Sequence, residues 1–418
     1  MTLEIDSARL SAELDTLAGF SDAPAPAVTR VVYSEQDRRA REYVKGLCAA
    51  AGLKVREDAV GNIFARWVGA DPDLAAIATG SHIDAIPHAG RYDGTVGVLG
   101  GLEAIRALQR RGNTPRRSIE LLIFSAEEPT RFGIGCFGSR LLAGCLDAAT
   151  VRDKDGRTLD EWRTAAGFHG GLGTVALPAG AYAVFVELHI EQGPLLEAAG
   201  IPLGIVTAIA APASWRISIE GKGGHAGAML MRDRHDAFCA AAEIALAVEL
   251  AAKSTGSDDT VGTVGVCDVF PGAVNSVPMR VRLEVDVRDI DGARRDSVLA
   301  RIRQACDDTA ARRGVRVRIE EINADAPAQC DAAVVEALAA AASAHGLAFR
   351  KMVSRAYHDS LFVSRIAPTA MLFIPCRDGV SHRPDEYASP EAIAAGSLVL
   401  AEAMADLAGR QELTTTVL

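Results

Sequence analysis

The sequence has no surplus of basic residues, no long apolar run, no paired cysteines and no internal repeat. Lys and Arg number 44 against 54 Asp and Glu, a net charge of −10. An acidic chain is repelled by phosphate backbones and anionic headgroups, so neither nucleic acid nor a membrane is expected as a partner. No run reaches ~18 apolar residues, which predicts no membrane-spanning helix. The opening MTLEIDSARL lacks a basic region followed by an apolar core. That predicts no secretory signal and a cytoplasmic protein. The eight cysteines are scattered with no CxxC pair. They read as reduced, buried small residues.

What is present is an ordinary globular composition, 49% apolar and 23% charged over 418 residues, enough for two or three domains. Short apolar runs at 74–80, 118–125 and 183–189 read as buried strands. The stretch 94–108 between them reads as a helix with small residues early. Strands alternating with helices predict an α/β fold whose mixed, mostly parallel sheet is flanked by helices. Near Ala213 the pattern changes. Segments 213–219, 262–269, 279–288 and 315–322 read as strands, and 234–253 and 292–313 as helices. In 279–288, Val281, Leu283, Val285 and Val287 alternate with Arg280, Arg282, Glu284 and Asp286. The order β-α-β-β-α-β predicts an inserted α+β, ferredoxin-like domain over 213–326. The α/β domain takes 1–212 and 327–418, its later part holding a helix at 332–344, a strand at 369–374 and a last helix at about 390–407.

Ligands of parallel sheets sit at the carboxyl ends of the strands. The first buried run leads into His82 and Asp84, and Asp93-Gly94 follows just before a helix. The second delivers Glu127-Glu128, the third His189 and Gln192, and the late strand leads to His382. A single His at a strand end is ordinarily a hydrogen-bonded structural residue. An Asp-Gly is ordinarily a turn, and adjacent glutamates are ordinarily solvated. Five strand ends of one sheet all offering His, Asp or Glu is the pattern of a metal site. Imidazole and carboxylate together suit Zn, Mn, Co or Ni, and this set suffices for two ions sharing one carboxylate.

The stretches GSHIDAIPHAGRYDGTVGVL, FSAEEPTRFGIGCFGSRLLAG, ELHIEQGPLLE, GGHAGAMLMRDRHDA, NSVP and GVSHRPDEY resemble the M20-type binuclear metallohydrolases, specifically the hydantoinase/carbamoylase-type amidohydrolases. The resemblance implies two divalent ions, Mn²⁺ or Zn²⁺ with Co²⁺ or Ni²⁺ as alternatives. His82 and His189 would hold one, Glu128 and His382 the other, and Asp93 would bridge. Asp84 would orient His82. Glu127 would be the general base. The inserted domain would be a lid and homodimerisation module. It would supply His225 to the oxyanion, often across the dimer, Arg288 to a substrate carboxylate, and Asn275, with Gln192, as polar contacts.

Within that family, EEPTRFGI, AYHDSLF and SHRPDEY resemble the ureidoglycolate amidohydrolases more than the N-carbamoyl amino acid hydrolases. Tyr357 stands where many carbamoylases have Gly, followed by His358, and would narrow the pocket around a small polar ureido acid. Ureidoglycolate is the expected substrate, with allantoate next. N-carbamoyl-L-amino acids or 3-ureidopropionate are the alternative. A peptidase or aminoacylase ranks below these because of Gln192 and the carbamoylase-type lid loop, and so does an inactive scaffold of the same fold, since the ligand set and Glu127 are all present.

Overall fold

The computed structural model describes residues 2–411; Met1 and residues 412–418, at the ends of the expected α/β segments, lie outside them. Two compact units are resolved, one formed by the chain up to Thr207 and from Cys330 onward, the other by Ala208–Gln329.

The first unit is built on a mixed sheet. Its centre is four parallel strands in the order Thr369–Ile374, Tyr182–Ile190, Ala76–His82 and Ile119–Phe124. Antiparallel strands extend it on both sides. Leu203–Ile209 pairs Thr369–Ile374, and Ile63–Trp67, followed by Lys54–Glu57, pairs Ile119–Phe124. The central strands are buried almost without interruption, as expected where helices cover both faces. Their register places His82 beside Phe124 and His189 beside Phe373. One rim of the sheet thus receives the segments after each strand. The strand read at 74–80 runs from Ala76 to His82, so His82 is its last residue. Gly80 is admitted there by its φ of 148° and by a Cβ position only 1.8 Å from the Leu122 carbonyl oxygen.

Asp93 arrives differently from the sequence expectation. The strand before it, Ala85–Ala89, pairs with Val28–Arg30 in a separate two-stranded sheet. Asp93 lies on the turn that opens the helix Thr95–Arg111. Four ends of the sheet and one helix entry therefore meet, not five strand ends.

The helix Pro390–Gly409 departs from expectation in another way. It is 20 residues long with mean hydropathy 1.4, long and apolar enough to cross a bilayer. Ile393, Val399, Leu400, Met404 and Leu407 nevertheless belong to the main core, packed with Leu99, Leu102 and Leu188. Its hydropathy is that of a buried core helix. Ser389 caps it by accepting from Ala392 N–H, and Pro390 opens it.

The second unit is a four-stranded antiparallel sheet in the order Val261–Phe270, Arg280–Asp289, Ala211–Glu220, Arg316–Ala324. The helices Ala237–Lys253 and Gly292–Arg313 supply Ile244, Val248, Val298 and Ile302 to a core with Ile217, Ile219, Val281, Leu283 and Val285 of the strands. The connection order is the split βαβ arrangement.

Candidate active site

Three donor pairs converge on Asp93. Its Oδ1 lies 3.1 Å from His189 Nε2 and 3.5 Å from His82 Nε2. Its Oδ2 lies 3.5 Å from His382 Nε2, which is 3.2 Å from Glu128 Oε1. His82–Asp93–His189 and Asp93–Glu128–His382 are both sets able to hold a metal ion, and Asp93 belongs to each.

The spacing fits a metal. With bonds of about 2.0–2.1 Å, two donors of a tetrahedral site stand roughly 3.3 Å apart. The four N···O separations fall around that value. The tautomers fit too. His82 Nδ1 lies 3.1 Å from the Asp84 carbonyl oxygen, and His189 Nδ1 lies 2.9 Å from that of Ile190. An Nδ1–H donated to a carbonyl leaves each Nε2 with a lone pair for a cation. Gly94, at φ 67°, lets His82 in, since a Cβ there would lie 2.4 Å from its ring.

Burial and neighbouring charges act in opposite senses on these groups. Burial works against a charge on His82, yet the carboxylates of Glu127, Asp84 and Asp93 hold its pKa well above the usual imidazole value. Burial likewise opposes the charge of Asp93, and His189 and His82 keep it well below the usual carboxyl range. His382 rises to about 9, chiefly through its hydrogen bond with Glu128.

The two adjacent glutamates occupy different environments. Glu128 is buried and joins His382. Glu127 lies in neither donor set, with Oε2 3.7 Å from His82 Nε2. Burial, reinforced by Glu128, Asp359 and Asp93, pushes its pKa well above the ordinary carboxyl value. A carboxylate with raised proton affinity beside a metal site is equipped to take a proton.

Asp84 does more than face His82. Its carboxylate stands 3.6 Å from His82 Nδ1, farther than its own carbonyl. Both carboxylate oxygens are used instead by the backbone N–H groups of Glu127 and Glu128, each at 3.1 Å. Ala126, at φ 53°, turns the chain so that both amides point that way. Asp84 therefore positions the glutamate pair through its backbone.

The remaining expected residues fall into three places. Gln192 donates from Nε2 to Asp93 Oδ2 at 2.7 Å, so its amide orients the shared carboxylate. Tyr357 is half-buried, its hydroxyl accepting from Arg140 Nη2 at 2.8 Å. His358 is buried with its ring centre 4.6 Å from that of His189. Burial and His189 drive its pKa well below the usual value, so it is neutral. Its Nε2 has no hydrogen-bond partner among the described residues.

In the second unit, His225 is exposed on a two-residue strand whose partner is Ser276–Val277, and Asn275 accepts from Ala226 N–H through its backbone carbonyl. Arg288 is half-buried and donates from Nε to Asp286 at 2.8 Å.

Three supporting residues escaped the sequence reading. Glu386 Oε1 accepts the N–H groups of Tyr92 and Asp93, and burial next to Asp93 raises its pKa to about 7. Ser381 donates its one hydroxyl hydrogen to Asp93 Oδ2, with Glu386 Oε2 also 3.0 Å from the Ser381 oxygen. Asn62 accepts the Ser125 N–H at 2.9 Å and fixes the strand end before the glutamates. Ser381 and Glu386 lie within GVSHRPDEY, so their proximity to His382 was the available signal. Asn62 had none.

Residues 78–406 match the peptidase family M20/M25/M40. The chain is 52% identical to ureidoglycolate hydrolase of Arabidopsis thaliana, covering 97% of this chain and 87% of that protein. It is 38% identical to N-carbamoyl-L-amino acid amidohydrolase of Geobacillus stearothermophilus, covering 95% and 97% respectively. Among solved structures, AtUAH in complex with (S)-hydroxyglycine superposes with a TM-score of 0.87 at 52% identity, covering 97% of this chain and 98% of that one.

Proposed function

Because the chain belongs to peptidase family M20/M25/M40, we propose that it is a metal-dependent amidohydrolase that cleaves the ureido group of ureidoglycolate. The observation that carries the chemistry is the division of the glutamate pair, Glu128 in a donor set and Glu127 beside it but outside both. Two divalent ions, Mn²⁺ or Zn²⁺, bound at the Asp93-centred donors would polarise the scissile carbonyl and lower the pKa of the attacking water. Glu127 accepts the proton of that water and delivers it to the leaving nitrogen. Gln192 and Ser381 hold the Asp93 carboxylate, and Glu386 holds its backbone N–H, throughout.

The substrate rests on the 52% identity with the Arabidopsis thaliana ureidoglycolate hydrolase. The chemistry agrees with it. Ureidoglycolate and water give hydroxyglycine, CO₂ and ammonia, and hydroxyglycine is the molecule bound in the AtUAH crystal structure. In this reading Arg288 takes the substrate carboxylate, and Asn275, Tyr357 and His358 line the substrate. His225 donates to the developing oxyanion across a homodimer formed by the inserted unit. Gly227 N–H donates to His225 Nδ1, which leaves Nε2 carrying the proton it would donate.

The test is ammonia and glyoxylate release from ureidoglycolate, allantoate, 3-ureidopropionate and several N-carbamoyl-L-amino acids. Ureidoglycolate is expected to give the highest kcat/KM. Faster turnover of a carbamoyl amino acid would move the chain to the reading favoured by its Geobacillus stearothermophilus relative. Chelation is expected to abolish turnover and Mn²⁺ or Zn²⁺ to restore it. Full activity after metal removal would end the proposal.

A further inference from the structure

The segment after the glutamate pair doubles back on it. Cys136, Phe137 and Gly138 donate their backbone N–H groups to the carbonyls of Glu127, Ala126 and Ser125, at 2.6, 2.9 and 2.8 Å. The first of these three has a second grip. Cys136 is fully buried, and its Sγ lies 3.2 Å from Glu127 Oε1. It stands at the N-cap of the helix Phe137–Leu142 with φ 53°, yet its side chain caps nothing there. The thiol is turned toward the glutamate instead. Burial and the Glu127 charge push the thiol pKa well above its usual value, so the sulfur keeps its hydrogen and donates.

We propose that Cys136 is a positioning residue for Glu127, holding Oε1 by an S–H···O bond so that Oε2 alone faces the donor sets. This rests on Glu127 being the general base. The physical case for a thiol is its weakness as a donor. A free carboxylate at the end of two side-chain torsions would rotate, and a wrongly turned base loses rate steeply. A strong donor would fix it but would stabilise the carboxylate and lower its proton affinity. A thiol fixes the rotamer and leaves most of the basicity.

The experiment compares Cys136→Ala and Cys136→Ser in the wild-type and Glu127→Gln backgrounds, with ureidoglycolate as substrate and the metal content of each protein measured. Cys136→Ala is expected to lower kcat about 10- to 100-fold, with KM and metal content held. Serine, a stronger donor, is expected to recover only part of that loss and to move the acid limb of the kcat–pH profile to lower pH. In the Glu127→Gln background the alanine change is expected to leave the residual rate unaltered. A wild-type kcat for Cys136→Ala, or an equal further loss in the Glu127→Gln background, would overturn the proposal. So would loss of metal together with kcat, which is the signature of a merely structural residue.

The infrared S–H stretch keeps the two readings separable. Isolated as the difference between wild type and Cys136→Ala, it is expected at the low-frequency side of a free thiol and to shift in Glu127→Gln. Turnover surviving in Glu127→Gln would remove the base assignment even with that shift present. A Cys136 stretch unmoved by Glu127→Gln would remove the contact.

Discussion

The strand Ala76–His82 is buried over its whole length, whereas Arg280–Asp289 buries every second residue. In the first unit the parallel strands are buried throughout, a few hydrogen-bonded polar residues such as Thr79, Ser81 and Glu187 included, and the candidate donors are gathered at one rim. His82, Glu128 and His189 are each no more than 3% exposed there, so their charges are strong toward one another and toward a cation. In the second unit, the open face of the antiparallel sheet carries charge along its length. Arg216 reaches Glu284 at 3.0 Å and Glu320 at 3.6 Å, in pairs that water screens. The same residue types are reactive in one sheet and ordinary in the other because of burial and convergence.

That contrast can be broken at four points, in descending order of effect. Glu127→Gln should cut kcat by about 10³-fold or more, roughly 4 kcal/mol of barrier, with metal content and melting temperature near wild type. A variant with substantial turnover would place the base elsewhere. Gly80→Ala should lower stability by ~3 kcal/mol or more, since its Cβ has no room beside Leu122. A denaturation midpoint equal to wild type would show that the strand pair can move apart. Arg288→Ala should raise KM for ureidoglycolate by about 10- to 100-fold, as for a lost charge-assisted bond. Little change in KM would remove the substrate-carboxylate role from Arg288. Arg216→Ala on the open face should leave the thermal midpoint close to wild type, the smallest effect of the four. A larger loss by thermal denaturation would mean that this face is not a solvated surface.

The sequence pattern located elements whose burial is periodic or continuous. The helices 292–313 and 332–344 and the strand 369–374 lie where their patterns predicted. The helix Glu35–Ala50 had no such pattern, because its buried side includes Asp37 and Arg41 as an ion pair. Arg41 donates to Ser125 Oγ, so a charged residue does there what an apolar one does elsewhere. Among the site residues, His82, Glu128, His189 and His382 were readable as strand-end motifs and Asp93 as the turn before a helix, whereas Ser381, which also reaches Asp93 by its side chain, was not. Roles played on the backbone were not readable either. The two amides held by Asp84, the two held by Glu386 and the one accepted by Asn62 leave no spacing rule, since hydrogen bonds to the main chain are blind to residue type at the receiving end.

The discontinuous first unit also fixes an order in time. Asp93 is held by Glu386, 293 residues further along the chain. At roughly 5–20 residues added per second, about 15 to 60 s of synthesis separate the two. Residues 208–329 form a contiguous unit and emerge entirely within that interval. During translation the antiparallel unit can therefore close on itself while His82, Asp93 and His189 wait, and the candidate site is assembled last, when the segment carrying Ser381, His382 and Glu386 is released.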